Sequence, residues 1–201
     1  MAFLFDSFAG WKEYATQQSC TLVDVVREYE FSQKGRDAAT IRRGLQEAWV
    51  VMKEAVHTGL TENMTSRSGM INNGAKKVYQ HPVAVLSPQF QQLIARALAA
   101  KEVNSCMGRV VAAPTAGASG ILPGVLFTLQ EIHGISDEQI GDAMLLAAGI
   151  ALIMEQKASI AGAVGGCQAE TGTAAAMGAG AIVYCLGGDT DQVFAAVAIT
   201  V

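Results

Sequence analysis

Hydrophobic residues recur every three or four positions through most of this chain, which is the period of an α-helix. No stretch of useful length alternates between apolar and polar residues, so the pattern predicts an all-α fold. The predicted helices cover residues 7–18, 21–33, 36–58, 89–101, 123–133, 137–154, 167 to about 187, and 192–201.

Some of these helices carry explicit start and stop signals. Thr21 with Asp24, and Ser136 with Gln139, have the spacing of a capping box, and Gly59 is the predicted C-cap of the helix over 36–58. The helix over 137–154 is apolar on nearly all sides, which predicts a central position in the core. Aromatic residues are only 6% of the chain while glycine numbers 21, so we expect helices that approach one another closely.

Two loops rich in glycine and hydroxyl side chains interrupt the helical pattern. Residues 60–75 include Ser66, Ser68 and Gly74, which could present hydroxyl and backbone N–H groups to an anion, although a mobile surface loop is an equally good interpretation. Residues 115–120 lead into the N-terminus of the next helix and form a generic cradle for a carboxylate or phosphate. The spacing and lysine of a P-loop are missing from the loop at 115–120.

A third glycine-rich segment precedes Cys167. Gly165 and Gly166 predict a tight turn that leads into a helix whose first residues include this cysteine. A thiol at a helix N-terminus ionises readily, and the thiolate binds metals or attacks electrophiles. The alternative is a small buried hydrophobic residue, which most free cysteines are.

Composition narrows the function further. The 201 residues are 51% apolar, carry a net charge of −4 and show no basic run, so a single domain over 1–201 that binds no nucleic acid is expected. Four cysteines without a CxxC pair favour a reducing, cytosolic setting over a disulfide framework. The longest apolar runs are shorter than the roughly 20 residues that span a bilayer, so no membrane segment is predicted.

If the loop at 115–120 and the Cys167 turn converge, they form a site with many hydrogen-bond donors and one thiolate. Lys157 and Glu170 are the ionisable residues nearest to it in sequence, whereas His81 and His133 look peripheral. No general base can be named from the sequence. We predict that Cys167 and the 115–120 loop face one cavity.

Two segments resemble a known family. The strings EVNSCMGRVVAAPTAGASGILPG and KASIAGAVGGCQAETGTAAAMGAGAIVYCLGG are closely similar to the α subunit of bacterial iron–sulfur L-serine dehydratase, also called L-serine ammonia-lyase. The resemblance covers nearly the whole chain. It implies an all-helical catalytic domain, an oxygen-sensitive [4Fe–4S] cluster acting as a Lewis acid, and conversion of L-serine to pyruvate and ammonia.

The resemblance also implies roles for particular residues. Cys167 matches the first cluster ligand of the family. The remaining matched positions are expected to line the substrate pocket, with the loop holding the substrate carboxylate: Asn104, Thr115, Ala116, Gly117, Ser119 and Ser159.

The family's other two cluster cysteines lie beyond the point that Val201 matches, and neither Cys106 nor Cys185 takes their place in the motif. We therefore expect a chain truncated at its C-terminus that does not hold the cluster alone. The expected partner is a β subunit or β domain, within an oligomer. Two positions depart from the family pattern: Lys157 stands where Asn is commoner, and Asn73 replaces a usual Gly.

Two other functions remain open at this point. One is an enzyme that uses Cys167 directly as a nucleophile, which requires a histidine near that thiol. The other is a non-catalytic helical interaction module. In either case the chain would resemble the family without carrying out the chemistry that the resemblance implies.

Overall fold

A computed structural model describes residues 5–201, and these residues form nine α-helices and one short 3₁₀ helix with no β-strand. The predicted all-α class is confirmed. The helices are α1 (Phe8–Gln17), α2 (Leu22–Lys34), α3 (Ala38–Thr61), α4 (Gly74–Gln80), α5 (Pro88–Ser105), α6 (Ile121–His133), α7 (Asp137–Lys157), α8 (Gly162–Cys185) and α9 (Thr190–Thr200), with the 3₁₀ helix at Ala116–Ala118.

Side-chain caps fix where several helices begin. The capping boxes predicted for α2 and α7 are both present, since Thr21 accepts from the Asp24 N–H and Ser136 accepts from the Gln139 N–H. Asp189 and Gln192 form a third capping box at α9. Each cap satisfies backbone N–H groups that the first helical turn leaves unpaired.

The core is built around α7, as its sequence predicts. Ile140, Leu146 and Ile150 of this helix are completely buried, and α7 packs against α2, α3 and α8. Trp11 and Val26 approach Gly149 of the same helix so closely that an added Cβ would overlap both side chains. A glycine therefore provides the space that a large aromatic residue fills.

The predicted C-cap at Gly59 is wrong. The helix α3 continues to Thr61, with Glu62 as its cap, and Gly59 is buried inside it. An added Cβ at Gly59 would overlap the backbone of Ala99 in α5. Gly59 therefore permits close helix packing instead of ending the helix, in agreement with the close approach that the composition predicts.

The segment between α3 and α4 is an ordered loop tied together by its own hydrogen bonds. Ser66 donates its N–H to the Ile71 carbonyl at 3.1 Å and accepts the Ile71 N–H on its Oγ at 3.1 Å. Asn73 donates its N–H to the Met64 carbonyl at 3.0 Å. These bonds contradict the mobile-loop interpretation, and the sequence pattern also missed the short helix α4 that follows.

A glutamate from α5 holds the end of this loop. Glu102 is buried, and its Oε1 accepts the N–H groups of Gly74 and Ala75 at 2.8 and 3.2 Å. The anion that this loop was expected to bind is thus a carboxylate of the protein itself. The loop has a structural role here.

None of the helices within residues 5–201 is long and apolar enough to cross a membrane. A single domain over 1–201 stays a prediction.

Candidate functional site

The loop before α6 forms one wall of the candidate site. Thr115 precedes the single 3₁₀ turn at Ala116–Ala118, which is closed by a bond from the Ala118 N–H to the Thr115 carbonyl at 3.2 Å. Ser119 follows the turn and is 1% exposed. The loop therefore has a defined backbone with two hydroxyl side chains at its ends.

Two side chains from α5 hold this loop in place. Lys101 Nζ donates a hydrogen bond to the Gly117 carbonyl at 2.8 Å, and Asn104 Nδ2 donates one to the Ala116 carbonyl at 3.0 Å. The structure therefore brings Asn104 to the loop with which the sequence grouped it. The amide nitrogen is bonded to protein, so Asn104 positions the loop through this group.

The two hydroxyls of the loop have no partner. Thr115 Oγ1 and Ser119 Oγ are both buried and make no hydrogen bond within residues 5–201. Buried hydroxyls are normally hydrogen-bonded because leaving one unpaired costs free energy. This pair of unused groups is the strongest indication in the loop that it receives a polar ligand.

Cys167 lies where α8 is interrupted. Gly166 has φ 72° and ψ 177°, a conformation that residues with a Cβ rarely adopt, and it separates a first helical turn at Gly162 from the long helix that continues to Cys185. The predicted glycine turn is confirmed. Cys167 is exposed, so the interpretation as a buried hydrophobic residue is wrong.

Ser159 lies between α7 and α8 and is exposed. Its Oγ accepts the N–H of Ala161 at 3.2 Å, and its carbonyl lies 3.5 Å from where a Cβ on Gly165 would be. Ser159 therefore belongs to the segment that leads into the Cys167 turn. Nearby Lys157 ends α7, with its Nζ 3.9 Å from Asp6 on the surface.

A glutamate joins the two halves of the site. The carboxylate of Glu170, one helical turn after Cys167, lies against Gly117 of the loop and Gly162 at the start of α8. A Cβ built on either glycine would be 2.7 Å from Glu170 Oε2. This contact establishes that the 115–119 loop and the Cys167 segment meet. That the thiol itself faces the same cavity stays a prediction.

Sequence reasoning names Glu170 as an ionisable residue near the site but assigns it no role. Gly117 and Gly162 are the positions that leave room for its carboxylate, but neither glycine reveals from sequence which side chain it faces. The contact of Gly117 with Glu170, more than 50 positions away in sequence, depends on how the helices pack. The two histidines described as peripheral, His81 and His133, are exposed at the ends of α4 and α6.

Cys167 is the cysteine on the segment of α8 that meets the 115–119 loop. Within residues 5–201 no group of three or more His, Cys, Asp or Glu side chains is arranged to hold a metal ion. Cys185 lies at the far end of α8, about 27 Å along the helix axis, and burial raises the pKa of its thiol to about 11. It is a poor source of thiolate. The residues present therefore fit one ligand position of a [4Fe–4S] cluster and not the whole set.

The fold and the site together define a class: an all-helical domain in which a loop with unused hydroxyls meets an exposed thiol and a carboxylate on a neighbouring helix. Comparison with known proteins identifies the family. Residues 17–201 match the family model described as serine dehydratase alpha chain, and the chain belongs to that family.

Individual relatives agree with this assignment. The L-serine dehydratase alpha chain of Peptoniphilus asaccharolyticus is 33% identical over 192 residues, covering 94% of this chain and 66% of the relative. The L-serine dehydratase of Streptomyces coelicolor is 37% identical over 166 residues, covering 79% and 36%. That of Haemophilus influenzae is 33% identical over 189 residues, covering 90% and 41%. The chain thus spans two thirds or less of the length of these relatives.

Proposed function

We propose that this chain is the part of an L-serine dehydratase that binds the substrate, in an enzyme that converts L-serine to pyruvate and ammonia. The observation that carries the proposal is the pair of buried, unpartnered hydroxyls of Thr115 and Ser119 on a loop that meets the Cys167 helix. Membership of the serine dehydratase family supports it. The net reaction removes water from serine and hydrolyses the resulting imine, giving one pyruvate and one ammonia.

The loop is proposed to bind the carboxylate of serine. The hydroxyls of Thr115 and Ser119 are donors that have no other partner, and a charged acceptor makes stronger hydrogen bonds than a neutral one. Lys101 and Asn104 support this role because they fix the carbonyl groups of Gly117 and Ala116. A loop fixed in advance loses less entropy when the ligand binds. Ser159 is proposed to line the same pocket.

Cys167 is proposed as a ligand of a [4Fe–4S] cluster. A bound cluster with one iron open to substrate would supply a Lewis acid that makes the serine hydroxyl a better leaving group. The exposed thiol at Cys167 suits this role, but the other thiolates must come from outside the described residues. We propose a β subunit or β domain as partner, within an oligomeric cytoplasmic enzyme.

The test uses the complete enzyme with its β subunit or domain, purified without oxygen. Pyruvate formed from L-serine is measured together with bound iron and the visible absorbance of thiolate-to-iron charge transfer. We expect Cys167→Ala to lose iron, colour and pyruvate formation. Cys185→Ala on the same helix is the matched control and should keep all three. A colourless, iron-free wild-type enzyme that still forms pyruvate would overturn the cluster proposal, and a coloured enzyme that forms none would overturn the activity.

A further inference from the structure

The carboxylate of Glu170 occupies the junction of three segments. Gly117 of the loop lies on one side, since an added Cβ would be 2.7 and 2.8 Å from the two carboxylate oxygens. Gly162 lies on another side, at 2.7 Å from Oε2 and 3.4 Å from Oε1. The third segment is the start of the long part of α8, which carries both Cys167 and Glu170. The carboxylate is thus held next to the loop proposed to bind substrate.

This carboxylate has no partner in the part of the chain that the structure describes. No hydrogen bond or ion pair to Glu170 is found there, although the side chain is half-buried. The neighbouring cation, Lys101, bonds to the Gly117 carbonyl at 2.8 Å instead. A half-buried carboxylate that accepts no hydrogen bond from the protein keeps its acceptor oxygens available for a donor on a ligand.

The loop hydroxyls and the Glu170 carboxylate suit two different groups of an amino acid. The Thr115 and Ser119 hydroxyls are unused donors, which suit a carboxylate. A carboxylate on the protein accepts hydrogen bonds only, and a substrate ammonium group only donates them. An α-amino acid presents both groups on one carbon atom, so its recognition requires donors and an acceptor side by side.

We propose that Glu170 binds the α-ammonium group of the substrate and so selects amino acids over hydroxy acids of the same shape. This inference deepens the proposed function and rests on it. Gly117 and Gly162 are required because a side chain at either position would push the carboxylate out of the junction. Glu170 thereby acts in binding, and the base that removes the α-proton is a separate group.

The test compares two ligands that differ only at the group in question. L-Serine and glycerate of matching configuration share the carboxylate and the β-hydroxyl, but glycerate has a neutral hydroxyl in place of the ammonium. For the complete anaerobic enzyme, the dissociation constant of glycerate is measured by calorimetry, and that of L-serine is taken from the serine dependence of the pre-steady-state rate of pyruvate formation, because the enzyme consumes serine. We expect Glu170→Gln to weaken serine binding by about 10- to 100-fold, the loss of one charge-assisted hydrogen bond. Glycerate binding should stay unchanged or become tighter.

Two variants control for charge and for position. Glu47→Gln on the exposed surface of α3 makes the same change of charge and should leave both dissociation constants unchanged. Gly117→Ala displaces the carboxylate without removing it and should reduce the preference for serine over glycerate. A variant Glu170→Gln that binds both ligands as the wild type does, or weakens both equally, would overturn the proposal.

Kinetics separates a binding role from a role in proton transfer. Loss of the ammonium contact raises KM and the dissociation constant together, whereas loss of a general base lowers kcat and leaves binding intact. The latter result would also contradict the proposal. If the wild-type enzyme binds serine but forms no pyruvate, the proposed activity fails while the binding comparison can still be made by calorimetry.

Discussion

Two loops of this molecule place a glycine against a glutamate carboxylate, and the two contacts differ in what the carboxylate does. At the first, Gly74 faces Glu102, with an added Cβ 2.8 Å from Oε1. At the second, Gly117 faces Glu170 at 2.7 Å. Both glutamates come from long helices, and both loops contain glycine and hydroxyl side chains. Sequence composition does not distinguish them.

Hydrogen bonding does distinguish them. Glu102 accepts the backbone N–H groups of Gly74 and Ala75, and Asn73 and Ser66 use their polar atoms inside the loop. Around Glu170 the carboxylate and the hydroxyls of Thr115 and Ser119 are all without partners in the described part of the chain. At the first loop, Glu102 Oε1 pairs two backbone N–H groups while Oε2 is buried without a partner within residues 5–201, and the paired oxygen serves the fold. The second keeps groups available, as a binding site must.

The largest expected difference is in the free energy of unfolding after truncation of each glutamate. Glu102→Ala leaves two N–H groups unpaired, one of them on the fully buried Ala75, and should cost about 2–3 kcal/mol. Glu170→Ala removes no hydrogen bond and should change stability by less than about 0.5 kcal/mol. Urea denaturation of both variants measures the difference.

The control for this pair is Glu102→Gln, which keeps an oxygen at the acceptor position. It should recover most of the loss seen with alanine. Equal stabilities for Glu102→Ala and Glu170→Ala would show that the two contacts are equivalent and would remove the basis of the comparison.

The glycines provide the next test. Glu102 is buried and cannot move away, so Gly74→Ala should destabilise the protein by about 1–2 kcal/mol. Glu170 is half-buried and unbonded, so it can swing aside when Gly117 is replaced by alanine, at a cost of about 0.5 kcal/mol or less. Thermal unfolding compares the two variants. A larger loss for Gly117→Ala than for Gly74→Ala would contradict the assignment of the first loop to stability.

The helical framework could be predicted from sequence because its signals are local. Capping boxes at Thr21 and Ser136, and the apolar helix α7, are readable within a few residues. Gly59 was misread because a glycine near a helix end has the same local signal whether it ends the helix or faces another helix. The close contact with Ala99 that decides the matter is 40 positions away.

The same contrast between local signals and long-range contacts applies to the candidate site. The glycine turn before Cys167 and the grouping of Asn104 with the 115–119 loop follow from local sequence and from family resemblance. The contact of Glu170 with Gly117 does not, because it depends on how α8 packs beside the loop. The sequence also leaves the order of the 60–75 region undecided, since its stabilising group, Glu102, is supplied by a helix that follows later in the chain.

A smaller effect is expected for the unused hydroxyl of the second loop. Ser119→Ala removes a buried group that makes no hydrogen bond, and should stabilise the unliganded protein by about 1 kcal/mol while weakening serine binding. Thr128→Val is the matched control, because Thr128 Oγ1 accepts from Arg96 and donates to the Gly124 carbonyl, both at 2.8 Å. That variant should lose about 1–2 kcal/mol. A loss of stability in Ser119→Ala would indicate that the hydroxyl serves the fold.

The smallest expected change is at Asn73, in the loop that precedes α4. Asn73 has φ 54°, a left-handed conformation that glycine adopts without strain and that asparagine tolerates better than most residues. Its Oδ1 also accepts the Met64 N–H at 2.6 Å. Asn73→Gly relieves the backbone but loses the hydrogen bond, two opposing effects of about 0.5–1 kcal/mol each, so net stability should change by less than about 0.5 kcal/mol. Asn73→Ala neither relieves the backbone nor keeps the hydrogen bond, so its free energy of unfolding should fall by about 1–2 kcal/mol. Urea denaturation of the two variants therefore separates backbone strain from side-chain bonding, and equal losses for glycine and alanine would show that the hydrogen bond alone holds the loop.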